Sequence, residues 1–166
     1  MNNLILFLSR KIFSLIPETS CFGLKRCLLR LAGAKIGNKV CICSNVKIIG
    51  NGNLTIGDNT WIGHETMIVC SSDITIGANV NIAPRCYIGT GTHEINTDHT
   101  IKNVAGLGIS YPISIGDGCW ICACSTLLPG ASVGKQSIVG AGSVLKDSVG
   151  NRELWAGVLA RYIKKL

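Results

Sequence analysis

The sequence predicts an all-β solenoid, a parallel β-helix of six-residue repeats with an N-terminal helical segment, one ejected loop and a short C-terminal helix. Three observations predict this fold. Aliphatic residues recur every six positions along most of the 166 residues, and the residue two places before each of them is small or β-branched. Glycine is abundant, with 20 copies, whereas aromatic residues make up only 5% of the chain. Short strands between tight turns, around a core of aliphatic and small side chains, account for this combination.

The six-residue period is the strongest of these signals. It runs through Ile36, Ile42, Ile48 and Leu54; Ile56, Ile62, Ile68 and Ile74; Ile76, Ile82 and Ile88; and, after a break, Ile115, Ile121, Leu127, Val133, Val139 and Leu145. Neither the helical period of 3.6 nor the strand period of 2 produces it. Six residues suffice for one short strand and one turn, so three units close a triangular coil whose aliphatic residues point inward. Glycine often follows the aliphatic residue, and we expect it there because it tolerates the positive φ of a tight turn.

The period divides the chain into three parts. Residues 1–34 form an N-terminal amphipathic helical segment, residues 35–149 form the β-helix with a loop at 91–112, and residues 150–166 form a C-terminal cap.

Residues 1–39 contain seven Lys and Arg against Glu18 alone, a net +6 of the total +7. The apolar stretch Leu4 to Ile16 is too short and too charged to span a bilayer, and it lacks the cleavage site of a signal peptide. We expect a helix pair whose basic face is either solvated or in contact with an anionic membrane surface.

The nine cysteines are an odd number without a secretory signal before them. Two pairs, Cys41 with Cys43 and Cys122 with Cys124, are spaced two apart, unlike the cysteines of structural zinc sites. We therefore expect no metal, and thiols that behave as small buried hydrophobes in a reducing cytoplasm.

The predicted loop carries the residues best suited to chemistry. It opens on His93 and Glu94, and Asp98 and His99 follow. A long loop ejected from a regular solenoid is usually functional. An unperturbed imidazole has a pKa of about 6.5 and can accept a proton at neutral pH, so His93 is a candidate general base; a solvated loop histidine is the alternative. Glu94 or Asp98 could accept from its other ring nitrogen, and His99 could orient an acceptor or be solvated.

Several stretches resemble the hexapeptide-repeat acyltransferases. They are IAPRCYIGTGTH at 82–93, ISIGDGCWI at 113–121, LPGA at 128–131, GAGSV at 140–144 and AGVLAR at 156–161. In order and spacing they are similar to the maltose and galactoside acetyltransferases and to the colanic-acid type of polysaccharide O-acetyltransferase. The run FGLKRCLLRLAG at 22–33 resembles the lead-in of the polysaccharide branch.

The resemblance implies a left-handed β-helix, a homotrimer with active sites between subunits, and acetyl-CoA as the acyl donor. It implies that His93 is the general base. The family's tryptophan after the loop matches Trp120, which either forms a wall of the cleft or packs over apolar surface. The residues matching the family's coenzyme A positions are Ala123, Ala141, Gly142, Lys146, Arg161 and Lys164. The acceptor-binding aspartate of the sugar-specific branch matches Ser71, with Asp73 close by, and Glu94 stands where relatives often have aspartate. Lys146-Asp147 replaces the usual Thr-Lys, and Gly157-Val-Leu-Ala160 replaces Gly-Asn-Pro-Ala.

The function that the sequence predicts is acetyl-CoA-dependent O-acetylation of a sugar or glycan hydroxyl in surface polysaccharide biosynthesis, by direct transfer. We expect a cytoplasmic enzyme, with the inner membrane surface as an alternative place, and no nucleic-acid partner. Alternatives are N-acetylation of an amino-sugar nucleotide and a non-catalytic β-helix scaffold. A γ-class carbonic anhydrase would need three zinc-binding histidines, and the spacing of His64, His93 and His99 does not resemble that family. No glycine-rich nucleotide-binding motif is present.

Overall fold

A computed structural model describes residues 1–97 and 103–166. Two helices, α1 (Asn3–Phe13) and α2 (Phe22–Leu31), precede a left-handed prism of short parallel strands. The predicted all-β solenoid and its N-terminal helix pair are thereby confirmed. Neither helix of the described ranges has the length and apolarity needed to cross a bilayer.

Three parallel sheets form the faces of the prism. The first sheet contains β1 (Lys35–Ile36), β4 (Leu54–Ile56), β7 (Ile74–Ile76), β12 (Ile113–Ile115), β15 (Ser132–Val133) and β18 (Ser148–Val149). The second contains β2 (Cys41–Ile42), β5 (Trp61–Ile62), β8 (Asn81–Ile82), β13 (Trp120–Ile121), β16 (Ile138–Val139), β19 (Glu153–Ala156) and β20 (Arg161–Lys165). The third contains β3 (Lys47–Ile49), β6 (Met67–Val69), β9 (Tyr87–Gly89), β14 (Thr126–Leu127) and β17 (Val144–Leu145).

The predicted inward positions form the core. Every aliphatic residue of the six-residue period is buried, and so are most of the small or β-branched residues two places earlier. Equivalent residues stack in register, as Ile62 does on Ile82 and Ile82 on Ile121. The small residues can also donate hydrogen bonds to carbonyl groups of the turns. The Thr60 hydroxyl, for example, donates to the Gly77 carbonyl at 2.8 Å. The six-residue period therefore marks the residues whose side chains point into the prism.

The glycine after the aliphatic residue has a different role from the predicted one. Positive φ falls two residues later, at Lys39, Asn59 and Asn79, with values of 54–56°. A Cβ on Gly57 would instead lie 2.5 Å from the backbone nitrogen of Ala78. Glycine is needed there because successive coils approach closely at that corner, and a side chain would separate them.

The basic residues of α2 lie against the first coil. Arg30 donates from Nε to the Ile36 carbonyl at 2.8 Å and from Nη2 to the Gly37 carbonyl at 2.9 Å, and Arg26 Nη1 donates to the Val40 carbonyl at 2.9 Å. Lys25 is completely buried, and its Nζ donates to the carbonyls of Glu18 and Ile42. These cations satisfy carbonyls at the end of the solenoid, with Lys25 buried and Arg30 still exposed to solvent.

The predicted short C-terminal helix is wrong. Residues 153–156 form β19, which pairs parallel with β16, and residues 161–165 form β20, which pairs antiparallel with β19. The last coil leaves a row of unpaired backbone groups at its edge. A strand can pair with that row, whereas a helix satisfies its own backbone and would leave the row open.

The segment predicted as a loop at 91–112 is partly regular. It leaves the corner between the third and first sheets as an antiparallel hairpin of β10 (Gly91–Ile95) and β11 (Ala105–Ser110). In this hairpin His93 pairs with Gly108. Because backbone pairing fixes both strands, the candidate base lies on an ordered element.

Candidate active site

The His93 ring is oriented by a backbone carbonyl. Its Nδ1 lies 3.0 Å from the carbonyl oxygen of Gly106, on the facing strand β11. A carbonyl oxygen can only accept, so Nδ1 carries a proton and donates; in the neutral ring the lone pair is then on Nε2. The side chain of His93 is exposed, so Nε2 can accept a proton from a bound molecule.

In the described residues a backbone carbonyl, and not the side chain of Glu94, lies at Nδ1 of His93. Glu94 follows His93 in β10, and neighbouring residues of a strand point to opposite faces. The Gly106 carbonyl occupies the place at Nδ1 that a carboxylate was expected to fill. Asp98 and His99 lie outside the described residues.

A cavity of roughly 340 Å³ adjoins the His93 ring. It is lined by Ser71, Gly91, Thr92, His93, Gly108, Ile109 and Ser110. The predicted site residues Ser71 and His93 thus come together in space although 22 positions separate them in the sequence. A Cβ on Gly91 would lie 3.0 Å from the Ser71 hydroxyl oxygen, so glycine at this position leaves the serine side of the cavity open.

Thr90 supports this cavity and was not identified from the sequence. Its side chain is completely buried, and its hydroxyl oxygen accepts from the backbone nitrogens of Ser71 at 2.8 Å and Ser72 at 2.9 Å. The same hydroxyl donates to the Val69 carbonyl at 3.2 Å. A weak signal was available, because Thr90 stands 20 residues after Cys70 and places a hydroxyl where the preceding coil has a thiol.

Asp73 belongs to a different cavity. Its carboxylate accepts from the side-chain amide of Asn53 at 2.9 Å. With Asn53 and Lys35 it lines a space of roughly 240 Å³ on the first sheet, to which His93 does not contribute. The structure therefore brings Ser71, and not Asp73, to the His93 cavity.

Trp120 lies on another face of the prism. It is half-exposed on β13 in the second sheet, where it pairs in register with Asn81 and Ile138. It does not line the cavity at His93. Within one chain, the indole and the imidazole belong to separate surfaces.

The residues matched to coenzyme A positions gather at the corner between the second and third sheets. The Gly142 nitrogen donates to the Ala123 carbonyl at 2.9 Å, and Ala141 lies in the same turn. Gly142 has a φ of 68°, and the space where a Cβ would lie is open. Since nothing covers this backbone, a narrow chain such as pantetheine could contact it closely.

The basic residues of this group lie elsewhere, Lys146 at the corner between the third and first sheets and Arg161 and Lys164 on β20. Lys146 follows β17, and next to it Asp147 has a carboxylate oxygen 3.7 Å from Nη1 of Arg161. Lys164 lies on β20, opposite Leu154. Lys146, Arg161 and Lys164 are all exposed and available to phosphate groups.

No metal centre is found in the part of the chain that the structure describes. Within residues 1–97 and 103–166, no group of three or more His, Cys, Asp or Glu side chains lies close enough together to hold an ion. His64 lies away from the hairpin, with its Nδ1 2.5 Å from a carboxylate oxygen of Glu18.

Comparisons with known proteins agree with this architecture. The bacterial transferase hexapeptide family (six repeats) matches residues 112–147. The protein named "Putative colanic acid biosynthesis acetyltransferase WcaF" of Escherichia coli K12 is 36% identical over 138 residues, which cover 83% of this chain and 72% of that protein. The galactoside O-acetyltransferase of the same organism is 30% identical over 139 residues, 84% of this chain and 67% of that one.

A solved structure has the same fold over almost the whole chain. It is a hexapeptide-repeat acetyltransferase from Vibrio cholerae O1 biovar eltor in complex with acetyl coenzyme A. It superposes with a TM-score of 0.80 at 24% identity and covers 99% of this chain and 86% of that one. The identity and coverage of the two Escherichia coli relatives, together with the six-residue period and the three-sheet prism, show that the chain belongs to the hexapeptide-repeat acetyltransferase family.

Proposed function

We propose that this acyltransferase transfers acetyl from acetyl-CoA to a hydroxyl group of a sugar or glycan, in the cytoplasm, as a step in surface polysaccharide biosynthesis. The observation that carries the proposal is the contact between Nδ1 of His93 and the Gly106 carbonyl, which leaves Nε2 as a free base beside a cavity. The printed names of the two relatives, which refer to colanic acid and to galactosides, support a carbohydrate acceptor.

His93 acts as the general base in this proposal. Its Nε2 removes the proton of the acceptor hydroxyl while the hydroxyl oxygen attacks the thioester carbonyl carbon. The C–S bond of the resulting tetrahedral intermediate then breaks, the CoA thiolate leaves, and the thiolate takes the proton from Nε2. The Gly106 carbonyl keeps its hydrogen bond to Nδ1 throughout and stabilises the transient imidazolium.

Transfer is direct, without an acetyl-enzyme. Of the two thiols that flank Ala123, those of Cys122 and the exposed Cys124, the thiol of Cys122 has a pKa that burial raises. Burial likewise raises the pKa of Cys86, to about 11, against the opposing effect of its hydrogen bond with the Ser125 backbone. Protonated thiols are poor nucleophiles, so Cys122 and Cys86 are unsuited to carry the acetyl group.

Acetyl-CoA lies along the corner that contains Ala123, Ala141 and Gly142 in this proposal. The exposed side chains of Lys146, Arg161 and Lys164 pair with its phosphates. The Vibrio cholerae protein of the same fold holds acetyl coenzyme A, which is the donor proposed here.

A homotrimer would complete the site. Ala123, Ala141 and Gly142 lie at the corner between the second and third sheets, whereas the His93 hairpin leaves the corner between the third and first sheets. One chain thus presents its base and the backbone proposed to contact pantetheine at different corners. Three chains around a common axis would place the donor corner and Trp120 of one subunit opposite the His93 cavity of the next.

The test is CoA release from acetyl-CoA with wild-type protein and His93→Ala, using free sugars, nucleotide sugars and short glycans as acceptors. We expect His93→Ala to lower turnover by about 10²- to 10⁴-fold, with melting temperature and CoA affinity nearly unchanged. The matched control is His64→Ala, a histidine outside the cavity, which should retain turnover. Near-normal turnover of His93→Ala would remove this residue from the mechanism.

The same screen tests the acceptor. Release with hydroxyl acceptors alone supports O-acetylation. Release that requires an amino sugar would overturn it in favour of N-acetylation.

A further inference from the structure

Helix α1 carries apolar side chains on two opposite sides. Leu6 and Phe13 are 2% exposed and face the rest of the molecule. On the outward side, Leu4 is 66% and Leu8 51% exposed, and Leu15, just after the helix, is 86% exposed. Apolar side chains on two opposite sides of a helix are normally both covered, so the outward side of α1 needs an occupant.

Three cations near the outward side of α1, those of Arg10, Lys11 and Lys47, have no acidic partner among the described residues. Nζ of Lys11 lies 5.6 Å and Cζ of Arg10 lies 6.0 Å from the centroid of the Phe7 ring. Among the described residues, no ion pair includes Arg10, Lys11 or Lys47. Unlike the cations of α2, which donate to carbonyls of the first coil, these three side chains donate no hydrogen bond within the described residues.

These three cations border one cavity. It measures roughly 390 Å³ and is lined by Phe7, Arg10, Lys11, Ser14, Ser44, Asn45, Val46 and Lys47. The helix supplies an aromatic ring and two cations, and the first coil supplies a third cation with a serine and an amide. A phosphate group would find both charge and hydrogen-bond donors there.

We propose that α1 docks the protein on a membrane surface that contains anionic phospholipid. The helix lies parallel to the membrane, Leu4, Leu8 and Leu15 enter the boundary between headgroups and acyl chains, and Arg10, Lys11 and Lys47 contact lipid phosphates. This inference goes beyond acetyl transfer and does not depend on it.

Charge favours lipid over a second copy of the chain as the occupant. Lys11 lies on the same outward side as Leu4 and Leu8, since positions 4, 8 and 11 share one helix face. Two copies packed through this face would bring their lysines together in an apolar interface, where like charges repel. An anionic surface pairs the same lysine favourably.

The experiment is flotation of the full chain with phosphatidylcholine vesicles that contain or lack phosphatidylglycerol, at low and high salt. We expect binding to the anionic vesicles at low salt, weaker binding at high salt, and little binding to neutral vesicles. Lys11→Gln should weaken partitioning about fivefold, and Leu4→Ser with Leu8→Ser about tenfold or more.

Matched control variants show whether vesicle binding depends on this surface or on the total charge and apolarity of the protein. Lys135→Gln removes the same charge four coils away and should bind like the wild type. Ile95→Ser with Leu107→Ser removes two equally exposed apolar side chains from the β10–β11 hairpin and should also leave vesicle binding unchanged. Melting temperatures should match throughout, because all these side chains are exposed.

Two results would overturn the proposal. One is wild-type protein that does not float with anionic vesicles at low salt. The other is a Leu4→Ser with Leu8→Ser variant that floats normally but has a smaller mass in solution than the wild type, which would make α1 an interface between copies.

Discussion

The hydroxyl oxygen of Thr90 lies 2.8 Å from the backbone nitrogen of Ser71 and joins two successive coils at the foot of the His93 hairpin. The next nitrogen, that of Ser72, donates to the same oxygen. One buried side chain thereby holds the turn that forms one wall of the cavity.

Thr90→Val should therefore be costly although it preserves the shape of the side chain. It would leave two part-buried backbone N–H groups without their acceptor, so we expect a loss of about 1–3 kcal/mol in the free energy of unfolding, measured by denaturant titration. Thr90→Ser keeps the hydroxyl and should lose much less. Equal losses in both variants would show that the methyl group, and not the hydrogen bonds, is what matters.

Stability should fall at alkaline pH because of buried thiols. Burial raises the pKa of Cys70 and Cys86 from 9.0 to about 11 each, and in both it exceeds the lowering by hydrogen bonds with backbone groups. Above pH 9 the unfolded chain loses these protons and the folded chain keeps them, so the free energy of unfolding falls as pH rises from about 9 to about 11.

The size of this effect can be measured with variants. Near pH 10 the loss should be on the order of 1 kcal/mol for each thiol. Cys70→Ala and Cys86→Ala should each reduce the drop between neutral pH and pH 10 seen in thermal unfolding. Cys27→Ala, at an exposed position on α2, should keep the full drop. Identical pH profiles in all three variants would contradict the assignment to buried thiols.

Arg30 should contribute to stability through the end of the solenoid. Arg30→Met removes donors to the carbonyls of Ile36 and Gly37, and we expect a loss of about 1–3 kcal/mol in the free energy of unfolding. Lys35→Met, an exposed cation on β1, is the control and should change stability by less than about 0.5 kcal/mol. A similar small change in Arg30→Met would show that solvent satisfies these carbonyls equally well.

The inward register can be tested on a single strand. Ile115 is 2% exposed on β12, and the preceding Ser114 is exposed on the same strand. Ile115→Asp would bury a carboxylate inside the prism and should abolish folding, at a cost above about 4 kcal/mol. Ser114→Asp should remain folded, as judged by circular dichroism and solubility. A folded Ile115→Asp protein would mean that the register is displaced by one residue.

The part of the fold that could be predicted is the part encoded locally. Ile121 and Leu127 repeat one environment, so a period in the sequence was enough to place them in the core. The cap at 150–166 had no such period, and its strands form because an edge of β16 is open to them. The role of Arg30 depends in the same way on carbonyls that meet α2 only in three dimensions.

The candidate site, like the fold, could be predicted from the sequence only in part. Sequence identified His93 and Ser71, and the structure brings them to one cavity. It could not identify the Gly106 carbonyl at Nδ1, because a backbone acceptor has no residue type to reveal it. Nor could it separate Ser71 from Asp73, which are two positions apart in the sequence but line different cavities.

The stacked coils also fix the distances between sites along the axis of the prism. Helix α2 covers the first coil, and the His93 hairpin leaves the third, immediately after β9. Stacked parallel strands are spaced by about 4.8 Å, so the hairpin stands about 10 Å, or two coil heights, above the coil on which the helices pack. Insertion or deletion of one coil between them would change this height by one fixed step and leave the residues of both regions intact. The height from the helices to His93 along the prism is therefore a whole number of coils.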